Sequence, residues 1–299
     1  MAAAVSAQDI IADRTYDLTK ITTPPTLDGD RFSSADEWSG ATQTECSITR
    51  VLEEGATYGW RDQENQWSEV SGNQLGQSEG ESAAVARTDD DASCQIWQAW
   101  DDDAFYYVAE VRDNIRDVVG GGANSNYWWE RDSISLYLDT QNERTSSDAN
   151  GYYSNLNIIN YIAAPQNSSS VTVTVENTVQ NARAATQDPD IIEGFDYGFT
   201  DREDEFGGET DYCIEGSMAW EAFLRLGNLP AVPGTGTVFS YSWILLDADD
   251  NEGFGGQIVC DGYTAESNSY ALWVLSDTPA GPPSTAVEAN SWGRIKASF

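Results

Sequence analysis

The chain contains no histidine. That removes serine–histidine and cysteine–histidine nucleophilic catalysis, histidine-containing zinc sites and histidine-ligated haem. Met218 is the only methionine after Met1, so other axial ligands for haem are scarce as well. Lysine is nearly missing too: only Lys20 and Lys296 occur, and all basic residues together number 15. A chain with so little positive charge has no surface for nucleic-acid phosphates. No segment approaches the roughly 20 consecutive apolar residues that a membrane-spanning helix requires, so no membrane insertion is expected. None of the four cysteines stands in a CxxC pair, which leaves a zinc or redox motif unsupported.

Acidic residues fill the space. There are 50 of them, giving a net charge of −35. Three physical readings fit such a balance: adaptation to salt, binding of divalent cations, and solubility by self-repulsion. Most of the 50 are read as solvated surface. The exceptions are dense runs in turns, where closely spaced aspartates and loop carbonyls can supply the six to eight oxygens that Ca²⁺ takes. Candidate ligands are Asp101 and Asp103 in the Asp101-Asp102-Asp103 turn, Asp113 with Asp117, and Asp247, Asp249 and Asp250 with Asn251. Aspartate also forms turns without any metal. Glu130 with Asp132, or Glu203 with Asp204 and Glu205, could be drawn as a glycosidase pair, but charge runs of this kind are usually solvated faces, and no enzyme is expected.

An even cysteine count in an acidic, aromatic-rich chain points to an oxidising compartment. Cys46, Cys94, Cys213 and Cys260 allow three pairings. The expected one is Cys46–Cys94 with Cys213–Cys260, because each closes a local loop, at about 4 kcal/mol apiece on the chain-entropy model. Buried free thiols are the alternative. The start, MAAAVSAQD, has small residues at Val5-Ser6-Ala7 that loosely fit a signal-peptide cleavage pattern; a small-residue chain end reads the same way. A secreted, extracellular or cell-surface location is expected.

Hydrophobic periodicity is mostly two. Phe105, Tyr107, Ala109 and Val111 alternate with Tyr106, Val108 and Glu110, and Ile134, Leu136 and Leu138 alternate with Ser133, Ser135 and Tyr137. Such runs are half-buried strands. Further strands are read at 95–111 (a hairpin), 133–139, 155–162, 171–175, 212–218, 238–246, 257–260 and 270–275. WEAFLRL at 220–226 is the one convincing helix, with Gly227 and Pro230 to end it. The fold class is therefore all-β, an antiparallel, jelly-roll-like β-sandwich with long loops and one short helix. Residues 1–23 read as a tail and first strand. Residues 24–299 read as a single domain with insertions at about 50–93 and 186–210.

PPTLDGD…DEW at 24–38, IWQAWDDDAFYYVAEVRD at 96–113, WWERDSISLYLD at 128–139, EGSMAWEAF at 215–223 and WGRI at 292–295 follow one another in an order and spacing that resemble family 9 carbohydrate-binding modules. The resemblance covers nearly the whole chain. It implies a two-sheet sandwich, structural Ca²⁺ and a sugar slot between two tryptophans, in modules attached to secreted glycan-degrading enzymes. A broader set of similar domains serves surface proteins. Trp129 matches the first clamp tryptophan, and Trp128 and Asn126 join it as candidate carbohydrate-binding residues. The family's acidic sugar contact falls at Ser135. Its arginine falls near 157–159, where no arginine stands. Its second clamp tryptophan belongs in the loop after Trp273, yet 277–290 holds no aromatic residue. The slot is half missing by this reading.

Two functions are carried forward. One is a secreted, non-catalytic, calcium-stabilised sandwich that binds extracellular polysaccharide. The other is a self-assembling subunit of an extracellular filament, sheath or surface layer, a homopolymer that uses its N-terminal segment for strand exchange. Trp38, Trp97, Trp100, Trp220, Trp243, Trp273 and Trp292 lie in or beside strands or the helix and are assigned to the core.

Overall fold

Among the described residues thirteen strands form, most of them where alternation places them, and the short amphipathic run forms a helix. The computed structural model describes residues 15–31, 37–50, 89–90, 92–115, 132–142, 156–162, 171–177, 182–184, 193–202, 211–226, 229–247, 256–261 and 270–279. The strands are β1 (Thr15–Lys20), β2 (Thr42–Cys46), β3 (Ala92–Trp100), β4 (Ala104–Asp113), β5 (Ser133–Asp139), β6 (Leu156–Ile162), β7 (Val171–Asn177), β8 (Ala182–Ala184), β9 (Phe195–Asp201), β10 (Tyr212–Ala219), β11 (Val238–Asp247), β12 (Gly256–Val259) and β13 (Ala271–Pro279). Helix α1 spans Trp220–Leu226. Glu221 in its first turn and Arg225 in its last complement the helix dipole, and it buries Trp220, Ala222 and Phe223.

Hydrogen bonding links the strands in the order β8-β7-β6-β5-β11-β13-β1-β3-β4-β10-β9, with β12 beside β11 and β2 beside β3. The ribbon is not flat. Four steps separate β4 from β11 along it, yet the Tyr107 and Trp243 rings meet at 5.3 Å. Phe105 likewise meets Trp273 of β13 at 5.1 Å. The sheet therefore curls so that its two halves face each other, and the sandwich expected from the strand pattern is the result. All pairings are antiparallel except those of β1, which runs parallel to both β13 and β3 and closes the seam between the halves.

The core between the halves holds Trp100, Trp220, Trp243 and Trp273, each at most 2% exposed. Burying one such ring contributes on the order of 5 kcal/mol before chain entropy is counted. Three of the four polar ends are matched, and the buried Trp273 indole N–H has no partner among the described residues. The indole N–H of Trp100 donates to Leu18 O at 2.8 Å, that of Trp220 to Asp101 O at 2.8 Å, and that of Trp243 to Gln98 Oε1 at 2.6 Å. Trp97 departs from its core assignment. It is half-buried on the outer face of β3, with the Arg31 guanidinium 3.8 Å above its ring. Trp292 lies outside the described residues.

Two expectations are corrected. The stretch 186–210, read as loop, contains β9, which pairs with β10 over seven residues. Its sequence FDYGFTD mixes Asp and Gly into the alternation and hides the strand.

The disulfide pairing also differs. Cys46 is bonded to Cys260, with a Cα–Cα distance of 5.0 Å and a sequence separation of 214. Cys94 and Cys213 are buried free thiols. Cys213 cannot reach Cys260: it sits on the outer face of β10 among Trp38, Tyr106 and Val108, whereas Cys260 lies in the inner core. Cys94 does stand opposite Cys46 in the β2–β3 ladder, but the closure of the sandwich brings the end of β12 onto Cys46 as well. Loop length argues for near neighbours; the folded geometry places a distant one in bonding position.

Candidate functional site

Three carboxylates that are far apart in sequence gather on the outer face of β10. Asp28, Glu37 and Glu215 each place an oxygen within 4.8 Å of the others, the one such group among the described residues. Glu215 alternates outward on β10 and is fully buried there by the turn Leu27-Asp28-Gly29-Asp30. Its Oε2 accepts the backbone N–H of Asp28 at 2.9 Å and of Gly29 at 2.8 Å. Its Oε1 accepts the indole N–H of Trp38 at 2.9 Å. Glu37 Oε2 caps the same loop by accepting the Thr26 N–H at 3.0 Å.

Glycine permits this contact. Gly29 has φ of +78°, and a Cβ there would stand 2.5 Å from the Phe199 carbonyl carbon and 2.6 Å from the Thr200 nitrogen. Gly198 on β9 is the reciprocal position, where a Cβ would meet Gly29 N at 2.5 Å. Backbone lies on backbone, so neither neighbour can swing aside. Thr200 and Arg202 hold the other edge of the turn, donating to Asp28 O at 3.1 Å and Gly29 O at 3.0 Å.

Burial pushes the Glu215 carboxyl above the ordinary carboxylate range. The hydrogen bonds from Trp38, Gly29 and Asp28 oppose that shift, and the Glu37 charge adds to it. A carboxylate offers about four lone-pair directions, and three are taken by N–H donors. The free direction, with the Asp28 and Glu37 oxygens, makes an all-oxygen donor set of the kind hard divalent cations prefer.

The residues singled out in the sequence are distributed differently. Trp128, Trp129, Asn126, Asp117, Asp249, Asp250 and Asn251 lie outside the described residues. Asp101 is committed to its turn: Oδ1 accepts the N–H of Asp103 and of Ala104, both at 2.8 Å, and Oδ2 accepts the Tyr106 hydroxyl at 3.0 Å. Asp103 is exposed, and its carbonyl takes the Trp220 N–H at 2.9 Å. Asp113 is buried at the far end of β4, about 30 Å from that turn at ~3.3 Å per residue. Its N–H donates to Asp211 Oδ1 at 3.1 Å and its Oδ1 accepts from Ile115 at 3.0 Å. Asp247 ends β11 opposite Gly256. These four do not form one site.

Ser135 and Asn157, which stand where the resemblance puts polar sugar contacts, point to the outer face of β5 and β6 and are at most 1% exposed. Alternation along β5 had assigned Ser135 to that face; burial there was not readable from period alone. The Asp28–Glu37–Glu215 group was missed because its members sit in two motifs noted only as resemblance. No helix among the described residues is long and apolar enough to cross a membrane.

Comparison with known proteins follows the same line. A family model described as carbohydrate family 9 binding domain-like matches residues 61–260. Among solved structures, the chain is similar to a family 9 carbohydrate binding module from Caldicellulosiruptor kristjanssonii in complex with cellotriose, with 15% identity, 88% of this chain and 94% of that chain covered, and a TM-score of 0.47. A structure from the same organism in complex with glucose shows 13% identity, 90% and 98% coverage, and a TM-score of 0.44. No curated protein sequence matches the chain.

Proposed function

The chain belongs to the carbohydrate family 9 binding domain-like family, and on that premise we propose that it is a non-catalytic module that binds extracellular polysaccharide and is stabilised by Ca²⁺. The observation that carries the reading is the family match itself, which spans the β3–β4 hairpin through β12. Trp129 and Trp128, with Asn126, supply the sugar-stacking face: aromatic rings lie against sugar C–H faces and lose little entropy in doing so. The protein acts at the cell surface or in the medium, where the Cys46–Cys260 bond persists.

Calcium belongs to the same proposal. Asp28, Glu37 and Glu215 would hold it, and the support is the chemistry of the donor set: carboxylates only, one of them buried at a desolvation cost that a cation offsets. The ion would pin the 27–30 turn to β10. Retention on polysaccharide affinity gels or a glycan array tests the binding, with Trp129→Ala as the discriminating variant. A chain that binds no polysaccharide in the presence of Ca²⁺ overturns it.

A second reading, a self-assembling filament or surface-layer subunit, draws on β1. That strand runs parallel to both neighbours at the seam of the sandwich, and Leu18 is its one fully buried side chain. A strand anchored by one side chain at a seam suits exchange between copies. Electron microscopy with and without Ca²⁺ tests it, and monodisperse monomers under both conditions exclude it.

A further inference from the structure

Cys46 has two sulfur partners, and the fold positions both. It ends β2, directly opposite Cys94 in the antiparallel β2–β3 ladder. Residues directly opposite in such a ladder project to the same face, with Cβ atoms about 4.5–5.5 Å apart. Both belong to the inner core with Cys260. Cα separations of roughly 4.4–6.8 Å admit a disulfide, and directly opposed strand residues fall within that range at about 4.5–5.5 Å. Cys260 meets the same requirement at 5.0 Å and holds the bond.

We propose that Cys46, Cys94 and Cys260 form an exchange triad, in which the Cys94 thiol displaces Cys260 from Cys46 when β12 leaves the sandwich. The step is balanced. The Cys94 thiolate attacks Cys46 Sγ, the Cys46–Cys260 bond breaks, the Cys46–Cys94 bond forms, and Cys260 departs as a thiolate that takes up the proton released by Cys94. No oxidant or reductant is consumed. The cross-link moves from between distant parts of the chain to within the β2–β3 ladder, and redocking of β12 reverses it.

Folding sets the direction. In the closed sandwich, burial pushes the Cys94 thiol far above its ordinary range, with the Glu45 charge adding to the shift. The thiol is protonated and unreactive there, so Cys46–Cys260 persists. When β12 undocks, water reaches Cys94 while the ladder still holds it against Cys46. The ladder keeps Cys94 at a high effective concentration beside Cys46, whereas the undocked Cys260 is held there only by the bond itself, so exchange toward Cys46–Cys94 is favoured. Cys213 takes no part, because it lies on the opposite face of the sheet.

The test uses the oxidised full-length chain. It is held at pH 8.5 in urea below the main unfolding transition, quenched with acid, alkylated and mapped by mass spectrometry. The expected result is Cys46–Cys260 alone without urea and a Cys46–Cys94 peptide pair with urea. That new pair reverts at least tenfold on dilution and is absent from Cys94→Ser. A second variant, Cys260→Ser, equilibrated with oxidised glutathione, is expected to form Cys46–Cys94. Persistence of Cys46–Cys260 as the only disulfide in sub-denaturing urea overturns the proposal. So does scrambling that involves Cys213 as often as Cys94. If Cys260→Ser does not fold, the wild-type mapping decides alone.

Discussion

Gly216 gives the sharpest test of the packing argument. It lies on β10 directly opposite Tyr107 of β4, and the tyrosine ring covers the place where a side chain would be. A Cβ at 216 would stand 2.5 Å from Tyr107 Cε1, with the Cζ and hydroxyl closer still. The ring has nowhere to go. It is fully buried, it lies 5.3 Å from the Trp243 ring and 6.0 Å from Phe105, and its hydroxyl crosses the sandwich to donate to Asn160 Oδ1 at 2.7 Å. Gly216→Ala therefore overpacks the core, at about 1–3 kcal/mol. A displaced ring also leaves the Asn160 oxygen buried and unmatched, at about 1–3 kcal/mol. Reduced freedom of the unfolded chain returns roughly 0.5 kcal/mol.

A net loss of about 3 kcal/mol is expected. Urea denaturation followed by tryptophan fluorescence measures it, since four indoles are buried in the same core. The control is a double-mutant cycle. Tyr107→Ala is itself costly, at about 3–5 kcal/mol, but it removes the obstacle, so Gly216→Ala should add less than about 0.5 kcal/mol on that background. An equal cost in both backgrounds, or a wild-type midpoint for Gly216→Ala, would refute the reasoning.

Gly29→Ala adds a strained positive φ to a backbone clash and should lose about 2–4 kcal/mol by the same assay, with the 27–30 turn more open to proteolysis. Calcium at a hundredfold excess over its dissociation constant should raise stability by about 2.7 kcal/mol, seen as a thermal shift, and Glu37→Gln should reduce that gain while keeping the apo stability near wild type. Trp129→Ala should weaken polysaccharide retention at least tenfold with no change in melting temperature. Because the net charge is −35, the melting temperature should rise with monovalent salt as self-repulsion is screened, and a temperature flat from low salt to 1 M would count against repulsion as a destabilising force.

Most of the strands and the helix were legible because their signal is local, whereas the short β2 and β8 were not read as strands. Period-two alternation assigned Ile134, Leu136 and Leu138 to the core and Ser133 and Ser135 to the other face, and the structure has them so. Trp220–Leu226 is a helix at the bounds its sequence predicts. β9 escaped because Asp and Gly within it carry a second duty. Gly198 must lack a side chain for the 27–30 turn to rest on it.

The sequence by itself determined the all-β class, the faces of the strands, the acidic surface and the absence of histidine chemistry. Only the tertiary structure decided which distant residues meet. The motif at 24–38 and the motif at 215–223 are separate strings in the chain, and the fold joins them through the buried Glu215, which holds Asp28, Gly29 and Trp38 at once. Cys46 finds Cys260 for the same reason. Periodicity reports a residue's immediate neighbours, whereas partners some two hundred residues apart are chosen by how the sheet curls.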